Sequence, residues 1–248
     1  MNIFYKKTFI LILISISISL NSCKYKNDPS LRNNSIFYDD EDNKIWRHRV
    51  NCLDDAIHYS QIFSGIEIDI YYQNDTKKFI CDHGEPCEKV YLSDLIDNIK
   101  DYQYKYYWLD FKNSDDKNNV DQAIIALKTL CDKYDIKANI VVESRNPYAV
   151  KQFGANDFFT SYWVPHSTND FTTPRWIKED IKDVIREASP TALSAHHRMF
   201  SYLRRNFPTQ ALHLWTNGLS GEKDKKRIEK LKDYQNTKVI LVDYETPF

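Results

Sequence analysis

Apolar residues recur along the chain in short runs, and these runs alternate with longer segments in which apolar positions follow helical spacing. The short runs are rich in β-branched and aromatic residues, which predicts strands. The predicted strands lie at 44–50, 65–72, 104–112, 138–144, 157–164, 191–197, 211–217 and 238–245. The segments with helical spacing predict helices at 117–134, 175–188 and 222–235, and Pro174 suits the start of the second.

Strands that alternate with helices indicate a parallel sheet. Eight such units within 44–248 predict an α/β fold, a short (β/α)8 TIM barrel formed by a single domain. A doubly wound open sheet is the alternative, but the near-regular spacing of the units favours a closed barrel.

The N-terminal segment has the pattern of an export signal. Lys6 and Lys7 precede an apolar run at 9–20, which is too short to span a bilayer and is typical of a secretory signal. The run ends in Leu-Asn-Ser-Cys23, which resembles a bacterial lipobox and implies an acylated Cys23. An ordinary signal peptide with an incidental cysteine is the alternative. We therefore expect a lipoprotein signal peptide at 1–22, a polar tether at 23–43 and a lipid-anchored protein of the bacterial cell envelope.

Composition narrows the function. The chain has 34 basic and 35 acidic residues and a net charge of −1, which argues against a nucleic-acid binder. Nothing in the sequence indicates a protein partner. Only 5 glycines occur, and no Gly-rich phosphate loop is present. If the protein binds phosphate, side chains or a metal ion must hold it.

Two cysteines flank a loop-like stretch in the middle of the chain. Cys81 and Cys87 are close in sequence, and an exported protein can form disulfides. We therefore consider a Cys81–Cys87 disulfide, with two reduced thiols as the alternative. No CxxC pair occurs, which argues against a structural zinc site.

Barrel enzymes place their chemistry at the carboxyl ends of the strands, and carboxylates occur at two of these ends. Glu67 and Asp69 are two residues apart on the second predicted strand, so their side chains point to the same side. Asp110 on the third strand is placed to join them. Oxygen ligands of this kind suit Mg²⁺ or Ca²⁺, although a Glu-x-Asp pair can also be a solvated face or a salt-bridge partner.

Basic side chains and imidazoles occur beside the same strand ends. Lys112 is on the same side of its strand as Asp110 and is suited to hold a phosphate oxygen. His48 ends the first strand, and His83 follows a short strand after residue 77. Two imidazoles beside a metal-bound phosphate would allow both acid and base catalysis.

These motifs together resemble the PLC-like phosphodiesterase superfamily, which includes glycerophosphodiester phosphodiesterases and sphingomyelinase D-type phospholipases. The resemblance is strongest over 44–112. It rests on His48-Arg49, Glu67-x-Asp69, His83 and Asp110-x-Lys112, and on the sphingomyelinase D-like segments His48-x-Val50-Asn51 and His83-Gly84-x-Pro86-Cys87. The Pro-Glu-Asn-Thr segment that usually follows His-Arg in glycerophosphodiesterases is absent.

The resemblance implies an exported, membrane-anchored phosphodiesterase with one divalent cation, Mg²⁺ or Ca²⁺. Its substrate would be a glycerophosphodiester or a phospholipid headgroup. The implied catalytic residues are His48, His83 and Lys112, and the implied metal ligands are Glu67, Asp69 and Asp110. A non-catalytic lipoprotein that uses the barrel to bind phosphate or glycans is the alternative function.

Four further residues are candidate substrate contacts: Arg49, Asn51, Arg145 and Trp215. Arg145 can equally form an ion pair with Glu143, and Trp215 can fill the barrel instead of lining a headgroup pocket. Asp243 is a weaker candidate, and His166 is interpreted as a loop residue.

Overall fold

The structure is a computed structural model, and it describes residues 43–166, 177–218 and 222–247. These residues belong to one compact unit, Asp40–Phe248. The predicted signal peptide at 1–22, Cys23 and the tether up to residue 42 lie outside the described residues, as does Pro174.

The described residues form eight parallel barrel strands with helices between them, together with one antiparallel hairpin. The barrel strands are β1 (Ile45–Arg47), β2 (Gly65–Gln73), β5 (Tyr106–Phe111), β6 (Ile140–Ser144), β7 (Phe159–Trp163), β8 (Ala192–His196), β9 (Ala211–Trp215) and β10 (Thr237–Val242). The hairpin strands are β3 (Lys78–Cys81) and β4 (Val90–Tyr91).

The helices in the described residues lie between successive strands. They are α1 (Leu53–Tyr59), α2 (Leu92–Asp97), α3 (Lys117–Tyr134), α4 (Pro147–Ala155), α5 (Ile177–Ala188), α6 (Phe200–Asn206) and α7 (Glu222–Lys232), with short 3₁₀ turns at Tyr102–Tyr104, Lys137–Asn139 and His197–Met199. None of these helices is long and apolar enough to cross a membrane.

Pairing between the first and last strands closes the barrel. The strand order is β1-β10-β9-β8-β7-β6-β5-β2, and β2 pairs back with β1 at Arg47 and Ile66. The prediction of a (β/α)8 TIM barrel is therefore confirmed. Each of the eight predicted strands corresponds to one barrel strand.

Alternation along β2 explains how a barrel strand can carry both core and site residues. Ile66, Ile68 and Ile70 are buried members of the hydrophobic core. Glu67 and Asp69 therefore project to the opposite face of the strand, and both are also buried. Beyond the barrel, β2 continues and pairs with β3, so the hairpin rises from the same end of the barrel as the two carboxylates.

Candidate active site

Three carboxylates meet at the carboxyl ends of two neighbouring barrel strands. Glu67 and Asp69 lie on β2, and Asp110 on β5 is the register partner of Asp69. Each offers an oxygen atom, and these oxygens lie within 4.8 Å of one another. Glu67 and Asp69 are each only 2% exposed. The structure thus brings together the three residues that the sequence predicts as metal ligands.

Lys112 lies directly against this carboxylate cluster, which comprises Glu67, Asp69 and Asp110. Its Nζ is 2.5 Å from Asp69 Oδ1 and also contacts Asp110 Oδ2. Burial alone would lower the pKa of Lys112, but the charges of Asp110 and Asp69 outweigh it and raise that pKa. The ammonium therefore stays charged and balances one of the negative charges.

Lys112 leaves part of the negative charge of the carboxylate cluster unbalanced. Burial and the charge of Asp69 raise the pKa of Glu67 well above its usual value. Burial also raises the pKa of Asp110, although the Lys112 charge acts in the opposite direction. A divalent cation would balance the two charges that Lys112 leaves, and three carboxylate oxygens suit Mg²⁺ or Ca²⁺. These residues therefore fit a metal site.

His48 lies beside the carboxylate cluster and is held by a carboxylate on the far side of its ring. Its Nδ1 is 3.1 Å from Asp243 Oδ1, and its Nε2 is 3.9 Å from Glu67 Oε2. Asp243 also accepts hydrogen bonds from Thr216 Oγ1 and the Gly218 N–H. Burial would raise the pKa of Asp243, but the bonds from His48 and Thr216 help to lower it. Asp243 is therefore an ionised residue that orients His48.

Arg49 contributes its backbone to the site. It adopts a left-handed conformation with φ of 57°, which is uncommon for a residue with a side chain. This turn directs its N–H at Glu67 Oε2 over 2.7 Å, while its guanidinium lies 3.5 Å from Asn217 Oδ1 at the exposed rim. The rim position leaves the predicted substrate contact sterically open.

Asn51 is hydrogen-bonded to one of the candidate metal ligands, Asp69. Its Nδ2 donates to Asp69 Oδ2 over 2.8 Å and to Glu85 Oε1 over 3.0 Å, and its Oδ1 accepts from the Asp69 N–H. Both amide hydrogens and the oxygen are thus used within the protein, and the side chain is buried. Asn51 therefore holds Asp69 in place, and its predicted substrate contact stays a prediction.

His83 lies on the loop between β3 and β4. Its backbone N–H donates to Glu85 Oε2 over 2.9 Å, and its Nδ1 is 3.9 Å from Glu85 Oε1. Asp69, His83 and Glu85 form a second group whose ligand atoms lie within 4.8 Å of one another. The imidazole is 41% exposed, so a substrate can reach it beside the carboxylate cluster.

The predicted disulfide between Cys81 and Cys87 is wrong. Cys87 is bonded to Cys52, with a Cα–Cα distance of 6.0 Å. Cys81 is free because its side chain turns into the core from β3, alongside Phe79, and burial raises its pKa. The disulfide therefore joins the loop after β1 to the loop that carries His83.

Aromatic rings form the wall of the site next to His48. The Trp215 ring is half-buried, and its centroid lies 6.5 Å from that of His48, 4.9 Å from that of His196 and 5.5 Å from that of His166. This position supports the lining role for Trp215. His166 lies on the loop that follows β7, as predicted, and its ring joins this wall through its contact with Trp215.

Arg145 and Glu143 contact different partners. Arg145 is exposed and pairs with Asp115 over 3.2 Å instead of with Glu143, and its predicted phosphate contact stays a prediction. Glu143 is buried in the barrel and accepts a hydrogen bond from Trp108 Nε1 over 2.9 Å. Burial and the nearby charge of Asp110 raise the pKa of Glu143 to about 8.

Comparisons with known proteins identify the fold. No protein-family model and no curated protein sequence matches the chain. By structure, the chain is similar to a glycerophosphodiester phosphodiesterase from Parabacteroides distasonis, with 14% identity, a TM-score of 0.58 and coverage of 81% of this chain and 92% of that chain. A glycerophosphodiester phosphodiesterase from Agrobacterium tumefaciens gives 12% identity, a TM-score of 0.56 and coverage of 82% and 97%.

The same fold is also found outside enzymes of that name. A glycerol uptake operon antiterminator regulatory protein from Listeria monocytogenes is 10% identical, with a TM-score of 0.52 and coverage of 82% of this chain and 93% of that chain. The similarities therefore establish the TIM-barrel fold, and the chemistry has to be judged from the side chains.

Proposed function

We propose that this protein is an exported, membrane-anchored and metal-dependent phosphodiesterase that cleaves glycerophosphodiesters or phospholipid headgroups. The observation that carries the proposal is the carboxylate cluster, with Lys112, His48 and His83 beside it, at the carboxyl end of a TIM barrel. The names of the two phosphodiesterases with the same fold support the reaction class.

Glu67, Asp69 and Asp110 would hold the metal ion. The bound cation would supply positive charge that draws the phosphate into the site and offsets the charge that develops on its oxygens. Asn51 would hold Asp69 in place for metal binding through two hydrogen bonds. Lys112 adds a second positive charge for the phosphoryl oxygens.

The two histidines would move the protons. One imidazole takes the proton from the attacking hydroxyl, and the other donates a proton to the leaving oxygen as its bond to phosphorus breaks. Asp243 fixes the His48 ring so that Nε2 faces the carboxylate cluster. Attack by water yields a hydrolysed ester, whereas attack by a neighbouring substrate hydroxyl yields a cyclic phosphate.

A substrate and metal screen tests this proposal. The domain 44–248 carrying no signal peptide is incubated with glycerophosphocholine, lysophosphatidylcholine and sphingomyelin, each with Mg²⁺, Ca²⁺ or EDTA. We expect cleavage of at least one substrate class, lost in EDTA, and phosphorus NMR of the products separates hydrolysis from cyclisation. Metal-independent binding without cleavage would instead favour the binding-module function.

A further inference from the structure

Glu85 joins two loops of the site through its side chain. Its Oε1 accepts a hydrogen bond from Asn51 Nδ2, and its Oε2 accepts one from the His83 backbone N–H. The same Asn51 amide donates to Asp69. One carboxylate therefore connects the residue that holds a candidate metal ligand to the peptide of a candidate catalytic histidine.

The disulfide ties the same two loops close to these contacts. Cys52 directly follows Asn51, and Cys87 lies two residues after Glu85. Without such links, an exposed loop would let its imidazole sample many orientations, and each ordered residue costs conformational entropy. The covalent link and the Glu85 hydrogen bonds both limit this freedom.

We propose that Glu85 is a positioning residue that, together with the Cys52–Cys87 disulfide, sets His83 relative to Asp69; this inference rests on the proposed function. Glu85 acts through the contacts of both its oxygens and does not itself touch the reacting atoms. Its neighbour Glu88 is exposed on the same loop, which makes it a matched control.

The isosteric variant Glu85→Gln is the sharpest probe. Glutamine keeps the size of the side chain but presents an NH₂ group to one of the two donors, so one hydrogen bond must be lost. We expect kcat to fall about 10- to 100-fold with KM little changed, as when a residue that orients a metal ligand is removed. The variant Glu88→Gln should keep the wild-type kcat.

A second pair of measurements does not depend on turnover. Hydrogen–deuterium exchange of the segment 82–88 should be faster in Glu85→Gln and in the double variant Cys52→Ser/Cys87→Ser than in Glu88→Gln. The number of Mg²⁺ ions bound per chain should be the same in Glu85→Gln and wild type. If wild type cleaves none of the phosphodiesters, the proposed function fails, and exchange alone decides the positioning role.

Two results would overturn the inference. The first is a Glu85→Gln variant that matches Glu88→Gln in exchange and, where wild type is active, in kcat. The second is loss of a bound ion in Glu85→Gln while exchange of 82–88 stays unchanged. The second result would make Glu85 a metal ligand, in line with the second group formed by Asp69, His83 and Glu85.

Discussion

The carboxylate cluster concentrates buried negative charge that a bound cation would offset. Glu67 and Asp69 are buried, and the pKa of Glu67 is raised by burial and by the charge of Asp69. Lys112 contacts Asp69 and Asp110 and offsets only part of this charge. A cation that binds the native site, and not the unfolded chain, must therefore stabilise the fold.

This charge balance predicts a metal effect on stability. Adding Mg²⁺ or Ca²⁺ should raise the Tm. A free metal concentration of a hundred times Kd should raise the free energy of unfolding by about 2.7 kcal/mol. The variants Glu67→Gln and Asp69→Asn should lose the rise, whereas Glu88→Gln should keep it. Differential scanning calorimetry measures the Tm, and a wild-type Tm that neither ion changes would contradict the metal site.

Asp243 supports a second prediction at the residue scale. It accepts a hydrogen bond from His48 Nδ1 and is itself held by Thr216 and Gly218. The variant Asp243→Asn replaces an ionised acceptor with a neutral amide, so kcat should fall about tenfold or more and its pH profile should shift. The Tm response to metal should be unchanged, because Asp243 is not in the carboxylate cluster. An unaltered pH–rate profile would argue against this role.

At the scale of elements, the barrel interior contains a neutral imidazole. His213 on β9 is fully buried, with Nδ1 3.1 Å from Ser161 Oγ on β7 and its ring 4.9 Å from that of Trp108. Burial lowers its pKa to about 3. Between that value and the usual 6.5, the unfolded chain binds a proton that the native protein does not.

Acidification should reduce the stability of the native protein, because the buried His213 ring stays neutral while the unfolded chain takes up a proton. The stabilising contribution of the neutral ring is complete above pH 6.5 and is lost as the pH falls toward 3. The free energy of unfolding in EDTA should therefore decline on acidification, with a share from His213 of up to about 1.4 kcal/mol per pH unit. The variant His213→Gln should flatten the decline, and His58→Gln, at an exposed position on α1, should not. Equal slopes in both variants would refute the assignment.

Periodicity predicted most elements because it reflects which face of each element is buried. The helix predicted at 117–134 matches α3, whose buried face includes Val120, Leu127 and Cys131. The long-range contacts could not be predicted in the same way. The Cys52–Cys87 bond joins residues 35 positions apart, and the Asn51–Glu85 hydrogen bond links two loops that no spacing rule relates.

The sequence predicts the candidate site where charged residues lie two positions apart on one strand. Glu67 and Asp69 follow from alternation, and so does the pair Asp110 and Lys112. The role of Asn51 was not predictable, because only the folded loops reveal that its amide is saturated by Asp69 and Glu85.

For the whole molecule, the lipobox-like ending at Cys23 predicts a membrane anchor. Two or three acyl chains on Cys23 would give stable attachment to a bilayer. In bacterial cells, wild-type protein should sediment with membranes, and Cys23→Ser should be released or remain as the precursor. The variant Cys131→Ser alters a buried cysteine outside the signal and should sediment like wild type. Equal solubility of wild type and Cys23→Ser would contradict the anchor.

The barrel alone does not determine the activity, because the same fold is found in the Listeria monocytogenes regulatory protein. The reaction therefore depends on whether His48 and His83 work together beside the carboxylate cluster. If they act as one unit, losing either imidazole should cost nearly as much as losing both.

The most direct test measures turnover of whichever phosphodiester the screen identifies, in His48→Ala, His83→Ala, the double variant and the control His58→Ala. Each single variant should lose at least about a hundredfold in kcat, and the double variant little more, while the metal-induced rise in Tm persists in all of them. His58→Ala should match wild type. Near-normal turnover in either His48→Ala or His83→Ala, with the metal response intact, would contradict two-histidine catalysis at this site.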